Sequence, residues 1–202
     1  MSPAYRLLPE ANGSEILNDI TDFWSWVRTS LPARIAEIRP HLTLDVHCTA
    51  ATGESAGGYL ALQSAFLQPA GTIKAVMAQY CTIYPDIALW NPRPADGGPA
   101  EAHAIIEKYL SGSPLGTVRL SSPFPATIEL ASPVKQTGCH RDWMGGDGRL
   151  TLEYGLRTAA ELPPIWIMQG IDDQRVSFDF RRLLHRDAKA SILLSRLTFC
   201  AL

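Results

Sequence analysis

The sequence has no apolar stretch near the ~20 consecutive residues that a membrane-spanning helix needs. Its opening residues, M-S-P-A-Y-R-L-L-P-E, lack the apolar core of a signal peptide. The formal net charge is only −2, which gives no indication of a nucleic acid or an anionic membrane as a partner. From these absences we expect a cytoplasmic protein without a transmembrane segment or a nucleic-acid partner.

The sequence also lacks any C-x-x-C pair. Its four cysteines are widely spaced: Cys48, Cys81, Cys139 and Cys200. This spacing predicts free thiols in a reducing compartment. One glycine-rich segment places His140, Asp142 and Asp147 close together, but their spacing matches no common ligand set. The sequence therefore predicts no metal site.

Hydrophobic residues make up 46% of the 202 residues, which is enough for the core of one domain spanning 1–202. The predicted elements are a helix over 14–28 with Ser14 as N-cap, a strand over 46–51, a helix over 56–67, a strand over 73–80 and a strand over 163–169. Leu31-Pro32 is predicted to end the first helix. Strands that alternate with helices favour a parallel α/β sheet.

Residues 81–162 differ in character from the segments around them. They hold most of the prolines and many of the glycines, and they predict one helix over 99–110. A segment this long between neighbouring strands is typical of a lid or a substrate-binding elaboration. An irregular surface excursion is the other interpretation.

The segment G-E-S-A-G at 53–57 fits the pattern G-x-S-x-G, with Ser55 at its centre. In this pattern the serine lies on a sharp turn between a strand and a helix, and small residues at Gly53 and Gly57 allow the two to approach closely. The N–H of Ala56, at the start of the helix, can donate to a tetrahedral oxyanion. The alternative is a glycine-rich turn with a bystander serine.

Three blocks of the sequence together resemble one family. They are Y-R-L-L-P-E at 5–10, G-E-S-A-G-G at 53–58 and G-I-D-D-Q-R-V at 170–176. In this order they resemble the hormone-sensitive-lipase-like carboxylesterases, the fold-3 branch of the α/β-hydrolases. The resemblance implies a mostly parallel sheet with helices on both faces, and hydrolysis of a small-molecule or lipid ester without a metal or cofactor.

The resemblance also implies roles for particular residues. Ser55 would be the nucleophile, and Asp173, three residues after Gly170, would be the acid that orients a catalytic histidine. Asp172 is the runner-up for the acid. The alternative for Asp173 is a turn or helix-capping aspartate.

Two parts of the family pattern do not appear, and the domain is expected to be incomplete at both ends. The H-G-G-type loop that adds oxyanion donors would precede the block at 5–10, together with the first strands of the sheet. The family histidine would lie beyond the acid, a helix and a further strand, in a G-H-x-F-like loop. Only His185 follows Asp173, within a segment predicted to be helical. The other histidines precede Asp173: His41, His47, His103 and His140.

Three functions remain open from the sequence. The first is a serine carboxylic-ester hydrolase that acts through an acyl-enzyme on Ser55. The second is a truncated or degenerate hydrolase without turnover, which would serve as a binding or interaction module. The third is a peptidase of the same fold, which the Y-R-L-L-P-E block disfavours.

Overall fold

The computed structural model of the protein describes residues 1–81, 93–113, 116–121, 126–170, 172–173 and 197–201. Within 126–128 and 197–201 only the backbone is described. The described helices are α1 (Gly13–Thr29), α2 (Leu31–Ile38), α3 (Ala56–Leu67), α4 (Ala100–Ser111), α5 (Ala126–Thr137), α6 (His140–Met144) and α7 (Leu152–Thr158), with a 3₁₀ turn at Gly148–Leu150. The described strands are β1 (Thr49–Glu54), β2 (Ile73–Gln79), β3 (Ile165–Gln169) and β4 (Leu197–Ala201).

The four strands form one sheet in the order β1-β2-β3-β4, and every neighbouring pair is parallel. This confirms the parallel α/β sheet that the sequence predicts. Helix α3 connects β1 to β2 and contacts both strands. The apolar sheet residues buried in the core are small or β-branched: Ala51, Ile73, Val76, Ala78, Ile165 and Ile167.

Strand β1 begins and ends three residues later than predicted. The N–H of His47 donates to the Asp45 side chain at 2.9 Å, in a turn that precedes the strand. A short polar side chain that bonds the backbone two residues on competes with strand pairing. The predicted strand over 46–51 was therefore wrong at both ends, and His47 is exposed rather than in a core strand.

Helix α1 begins with a capping box formed by Asn12 and Glu15, whereas Ser14 was the predicted N-cap. The Asn12 side chain accepts from the Glu15 N–H at 3.0 Å, and the Glu15 carboxylate accepts from the Asn12 N–H at 2.8 Å. This reciprocal pair satisfies donors at the helix start. Ser14 is therefore not the N-cap, and its hydroxyl donates to Asp147 at 2.9 Å.

The chain continues as a helix beyond α1. Helix α1 ends at Thr29, just before Leu31-Pro32 as predicted, and these two residues open α2, with the proline in its first turn. Proline is well tolerated there because the first N–H groups of a helix have no helical partner. In the 81–162 segment the helix predicted over 99–110 is confirmed as α4. Helix α5, which contains Pro133, was not predicted.

The residues form two compact units, Met1–Asp19 with Asp86–Leu150 and Ile20–Pro85 with Thr151–Leu202. The sheet, α3 and the G-E-S-A-G-G segment belong to the second unit. The single domain over 1–202 with an excursion at 81–162 stays a prediction.

The Y-R-L-L-P-E block has a structural role within the first unit. The Arg6 side chain donates to Asp19 at 2.8 Å and to Glu15 at 2.9 Å. The buried Glu10 carboxylate accepts from Tyr109 at 2.9 Å and from Arg119 at 2.8 Å. The two charged side chains of the block therefore anchor α1 and α4.

Asp147 stabilises the first unit through an ion pair that is lost when its carboxylate is protonated in acid. It accepts from Arg149 at 2.6 Å and from Ser14, and Arg149 lowers the pKa of this carboxyl to about 2. Because the pKa is lower in the folded state, the stabilisation is present above pH ~4 and is lost as the pH falls toward 2. The pair is partly exposed to solvent, so we expect Asp147→Asn to lower the free energy of unfolding by about 1 kcal/mol at pH 7.

Urea unfolding from pH 7 down to pH 2 tests this expectation. The difference between Asp147→Asn and the natural chain should shrink between pH 4 and 2. Glu37→Gln is the matched control, because Glu37 pairs with Arg34 on an exposed helix face at 2.7 Å and should contribute under about 0.5 kcal/mol. A constant difference at every pH would contradict the role of the carboxylate.

No helix of the described segments is both long and apolar enough to cross a membrane. Cys48, Cys81 and Cys139 are free thiols, as predicted. Burial raises the pKa of Cys81 to about 12.

Candidate active site

Ser55 lies between the end of β1 and the start of α3, in a backbone conformation that is rare for a residue with a side chain. Its φ is 51° and its ψ is −120°. The Ser55 N–H donates to the Gln79 carbonyl at 2.9 Å, and its own carbonyl accepts from Tyr59 at 3.2 Å. Strain of this kind costs on the order of 1–3 kcal/mol and is concentrated at functional sites. The strand, sharp turn and helix match the context that G-x-S-x-G requires.

The Ser55 hydroxyl is not used to cap its helix. Ser55 is the N-cap residue of α3, yet its side chain makes no capping hydrogen bond. Thr151, at the same position of α7, does accept from the Tyr154 N–H at 3.1 Å. Serine is a common N-cap because of that bond. The Ser55 side chain is instead exposed at the helix start, which argues against a serine whose role is to cap the helix.

The glycines around Ser55 have unequal roles. A Cβ on Gly53 would lie 2.2 Å from the carbonyl oxygen of Gly57. A Cβ on Gly58 would lie 2.6 Å from the Cβ of Cys81, whereas a Cβ on Gly57 would meet no atom within 4 Å. The close approach expected of Gly53 is present. The same expectation for Gly57 was wrong. The strand approaches the helix at the Gly57 backbone, on a side where a Gly57 Cβ would not interfere, and the second position without room for a Cβ is Gly58.

Ala56 is the first residue of α3 and is exposed. The first N–H groups of a helix have no acceptor within the helix, and the helix dipole favours negative charge there. The Ala56 N–H, which was expected to be an oxyanion donor, therefore lies beside Ser55 at the positive end of a 12-residue helix.

The parallel sheet brings three loops to one edge. Glu54 pairs with Gln79, and Gln79 pairs with Met168, so the chain leaves all three strands at the same edge. Ser55 follows β1, Tyr80 follows β2, and Asp173 follows β3. The predicted nucleophile and the predicted acid therefore belong to loops at one edge of one sheet, as functional groups of α/β sheets usually do.

Asp173 is half-buried, and its carboxylate accepts from the buried Gln169 side chain at 3.0 Å. Its N–H donates to the Gly170 carbonyl at 3.3 Å, closing the turn that follows β3. Asp172 is exposed. Asp173 thus lies in a turn, as its alternative interpretation has it, and the bond from Gln169 holds its carboxylate.

The histidines give no described partner for Ser55. His185 lies outside the described residues. His41 and His47 are exposed. The His103 ring donates to the Gly97 carbonyl at 2.8 Å. Burial lowers the pKa of His140 to about 4, which favours its neutral form.

The carboxylates of the glycine-rich segment are engaged elsewhere. Asp142 pairs with Arg93, and Asp147 pairs with Arg149. In the described part of the chain, no group of three or more acidic, histidine or cysteine side chains could hold a metal.

The pairing of Glu54 with Tyr80 was not predicted from the sequence. The Tyr80 hydroxyl donates to the Glu54 carboxylate, and Tyr80 has a positive φ of 35°. Glu54 fills a variable position of G-x-S-x-G, and nothing in the residues around Tyr80 indicates a left-handed conformation. The proximity of Glu54 and Tyr80 can be inferred only once β1 is known to pair with β2.

Comparison with known proteins gives a consistent family. A family model described as alpha/beta hydrolase fold matches residues 1–144. A probable carboxylesterase, clz11 of Cochliobolus lunatus, is 35% identical over 87% of this chain and 84% of its own length. A second, M8 of a Phoma strain, is 34% identical over 88% of this chain.

Some of these proteins are considerably longer than this chain. The chain spans 58% of the length of M8. A solved α/β hydrolase superfamily protein from Enterococcus faecalis superposes with a TM-score of 0.60 at 19% identity, and the match covers 98% of this chain and 66% of that one. This structural likeness concerns the fold alone.

Proposed function

The chain belongs to the α/β-hydrolase family, and from that premise we propose that it is a carboxylic-ester hydrolase with Ser55 as its nucleophile. The observation that carries the proposal is the state of Ser55. It is exposed, held at a positive φ between strand and helix, and makes no capping hydrogen bond. A serine that only stabilised its helix would use its hydroxyl as Thr151 does.

The proposed reaction has two steps. The Ser55 oxygen attacks the ester carbonyl carbon while its proton passes to a base, and the Ala56 N–H donates to the oxyanion. The bond to the alcohol oxygen then breaks, the alcohol leaves with that proton, and an acyl-enzyme remains. Water attacks the acyl-enzyme, releases the carboxylic acid and restores the serine.

Asp173 is proposed as the acid of this site and His185 as the base. An aspartate in this role fixes the tautomer of the histidine and stabilises its protonated form. The bond from Gln169 and the turn at Gly170 support a fixed Asp173 carboxylate. Two relatives are named as probable carboxylesterases, which supports a carboxylic ester as the substrate. Within that class, we propose a small-molecule or lipid ester.

Hydrolysis of a panel of p-nitrophenyl esters, with acyl chains from acetate to decanoate, tests the proposal. We expect turnover of at least one ester, and Ser55→Ala should lower kcat by at least about 10³-fold. Alanine pays much the same cost at a positive φ as serine, so the thermal midpoint should change little.

Peptide p-nitroanilides form the second arm of the same experiment. Turnover of these amides in preference to the esters would favour the peptidase. A folded chain that hydrolyses neither class would contradict the proposal and favour the interaction module.

A further inference from the structure

Two strained residues lie side by side at the edge of the sheet that carries Ser55. Of the described residues other than glycine, Ser55 and Tyr80 have a positive φ, at 51° and 35°. Each is the first residue after its strand, and the two strands are neighbours. Such conformations persist only where surrounding contacts fix them.

Hydrogen bonds at this edge join the end of β1 to the end of β2, and the end of β2 to the end of β3. Ser55 donates its N–H to the carbonyl of Gln79 at 2.9 Å, and Tyr80 donates its N–H to the carbonyl of Met168 at 2.7 Å. The Tyr80 hydroxyl then reaches across to the carboxylate of Glu54, the residue immediately before Ser55. The end of β1 is therefore bonded to the end of β2 on both sides of the Glu54–Ser55 peptide.

A tyrosine at this position carries a cost that glycine would avoid. Glycine adopts positive φ values at little cost, whereas a residue with a Cβ does so under strain. In this strained conformation the Tyr80 side chain makes a hydrogen bond to Glu54. That hydrogen bond raises the pKa of Tyr80, as expected for a hydroxyl that donates to a carboxylate.

We propose that Tyr80 is a positioning residue, which acts through Glu54 to hold the turn that presents Ser55. The part of this inference that concerns catalysis rests on the proposed function of Ser55. The part that concerns the turn rests on the bonds and backbone angles alone. The experiment therefore measures the turn and the chemistry separately.

Amide hydrogen exchange by NMR measures the turn. In Tyr80→Phe we expect the Ser55 amide to exchange at least about tenfold faster than in the natural chain. The reason is that its bond to Gln79 loses the support of the neighbouring Tyr80–Glu54 hydrogen bond, here called the brace. Glu54→Ala should give the same result. The amide of Ala78, fully buried in β2, should be unaffected, which separates a local effect from global unfolding.

The rate of fluorophosphonate capture at Ser55 measures the chemistry. Tyr80→Phe and Glu54→Ala should each slow capture about tenfold, since a small misplacement of a reacting group is costly. The double variant should be little worse than either single one. Glu54→Gln should restore most of the rate and the protection, because its amide oxygen accepts the same bond. Tyr154→Phe, at an exposed tyrosine of α7, is the matched control.

The outcomes test the support of the turn and its effect on catalysis separately. Unchanged exchange of the Ser55 amide in both Tyr80→Phe and Glu54→Ala would overturn the inference. Faster exchange with unchanged capture would also overturn it as a statement about catalysis. Faster exchange in a chain that captures no fluorophosphonate at all would support the brace and contradict the proposed function.

Discussion

Replacing Gly53 with alanine is expected to destabilise the chain by about 2–3 kcal/mol, or to prevent folding. The new Cβ would lie 2.2 Å from the Gly57 carbonyl oxygen and 2.3 Å from its carbonyl carbon. These are backbone atoms at the junction of β1 and α3, which cannot swing aside as a flexible side chain would. Forcing extra atoms into packed structure typically costs 1–3 kcal/mol and occasionally more. Equilibrium unfolding in urea measures the loss.

Gly57→Ala is the matched control four residues away. A Cβ at that position would meet nothing within 4 Å, and the residue lies in the first turn of α3. Alanine is a better helix former than glycine, so this variant should be neutral or more stable by up to about 1 kcal/mol. Equal destabilisation by the two substitutions would contradict the account of the strand–helix junction.

Asp173→Asn is expected to lower kcat for ester hydrolysis by roughly 10²–10⁴-fold while leaving the fold intact. Asparagine keeps the size of the side chain but removes the charge that would stabilise a protonated histidine. Its side-chain oxygen can still accept the hydrogen bond from Gln169. The thermal midpoint should therefore change little, and the effect should appear in kcat rather than in KM.

Asp172→Asn distinguishes the two neighbouring carboxylates. Asp172 is exposed, whereas the Asp173 carboxylate is held by Gln169. We expect this variant to retain activity within about twofold. A large loss in Asp172→Asn with little change in Asp173→Asn would assign the acid to Asp172 instead.

The sequence predicted the centre of the fold well because local signals and burial agree there. Helix α3 has the bounds that were predicted, 56–67. Its small, apolar residues are buried on most sides, and Ser55 and Pro69 mark its ends. Strands β2 and β3 are short, apolar segments between turn signals, and the structure places both within two residues of the predicted bounds.

Elements that depend on competing local bonds were predicted less well. The turn at Asp45 delays β1, and the Asn12 capping box moves the start of α1. Helix α5 contains Pro133, a residue that usually indicates the end of a helix. In each case one side chain or one ring changes the outcome, and the spacing of apolar residues carries no information about it.

At the candidate site, the sequence could identify residue types but not their three-dimensional support. The pattern G-x-S-x-G selected Ser55, and the resemblance selected Asp173. The brace between Tyr80 and Glu54 joins residues 26 positions apart, and its existence depends on the register of β1 against β2. The absence of a clash at Gly57, against the severe one at Gly53, is likewise a property of the packed junction.

Covalent capture of a fluorophosphonate, located by mass spectrometry of the digested protein, tests the central claim that Ser55 is an activated nucleophile. We predict a single adduct, on the peptide that contains Ser55, formed by the folded chain and absent after heat unfolding or in Ser55→Ala. A folded chain that forms no adduct, or an adduct on another serine that persists in Ser55→Ala, would contradict it.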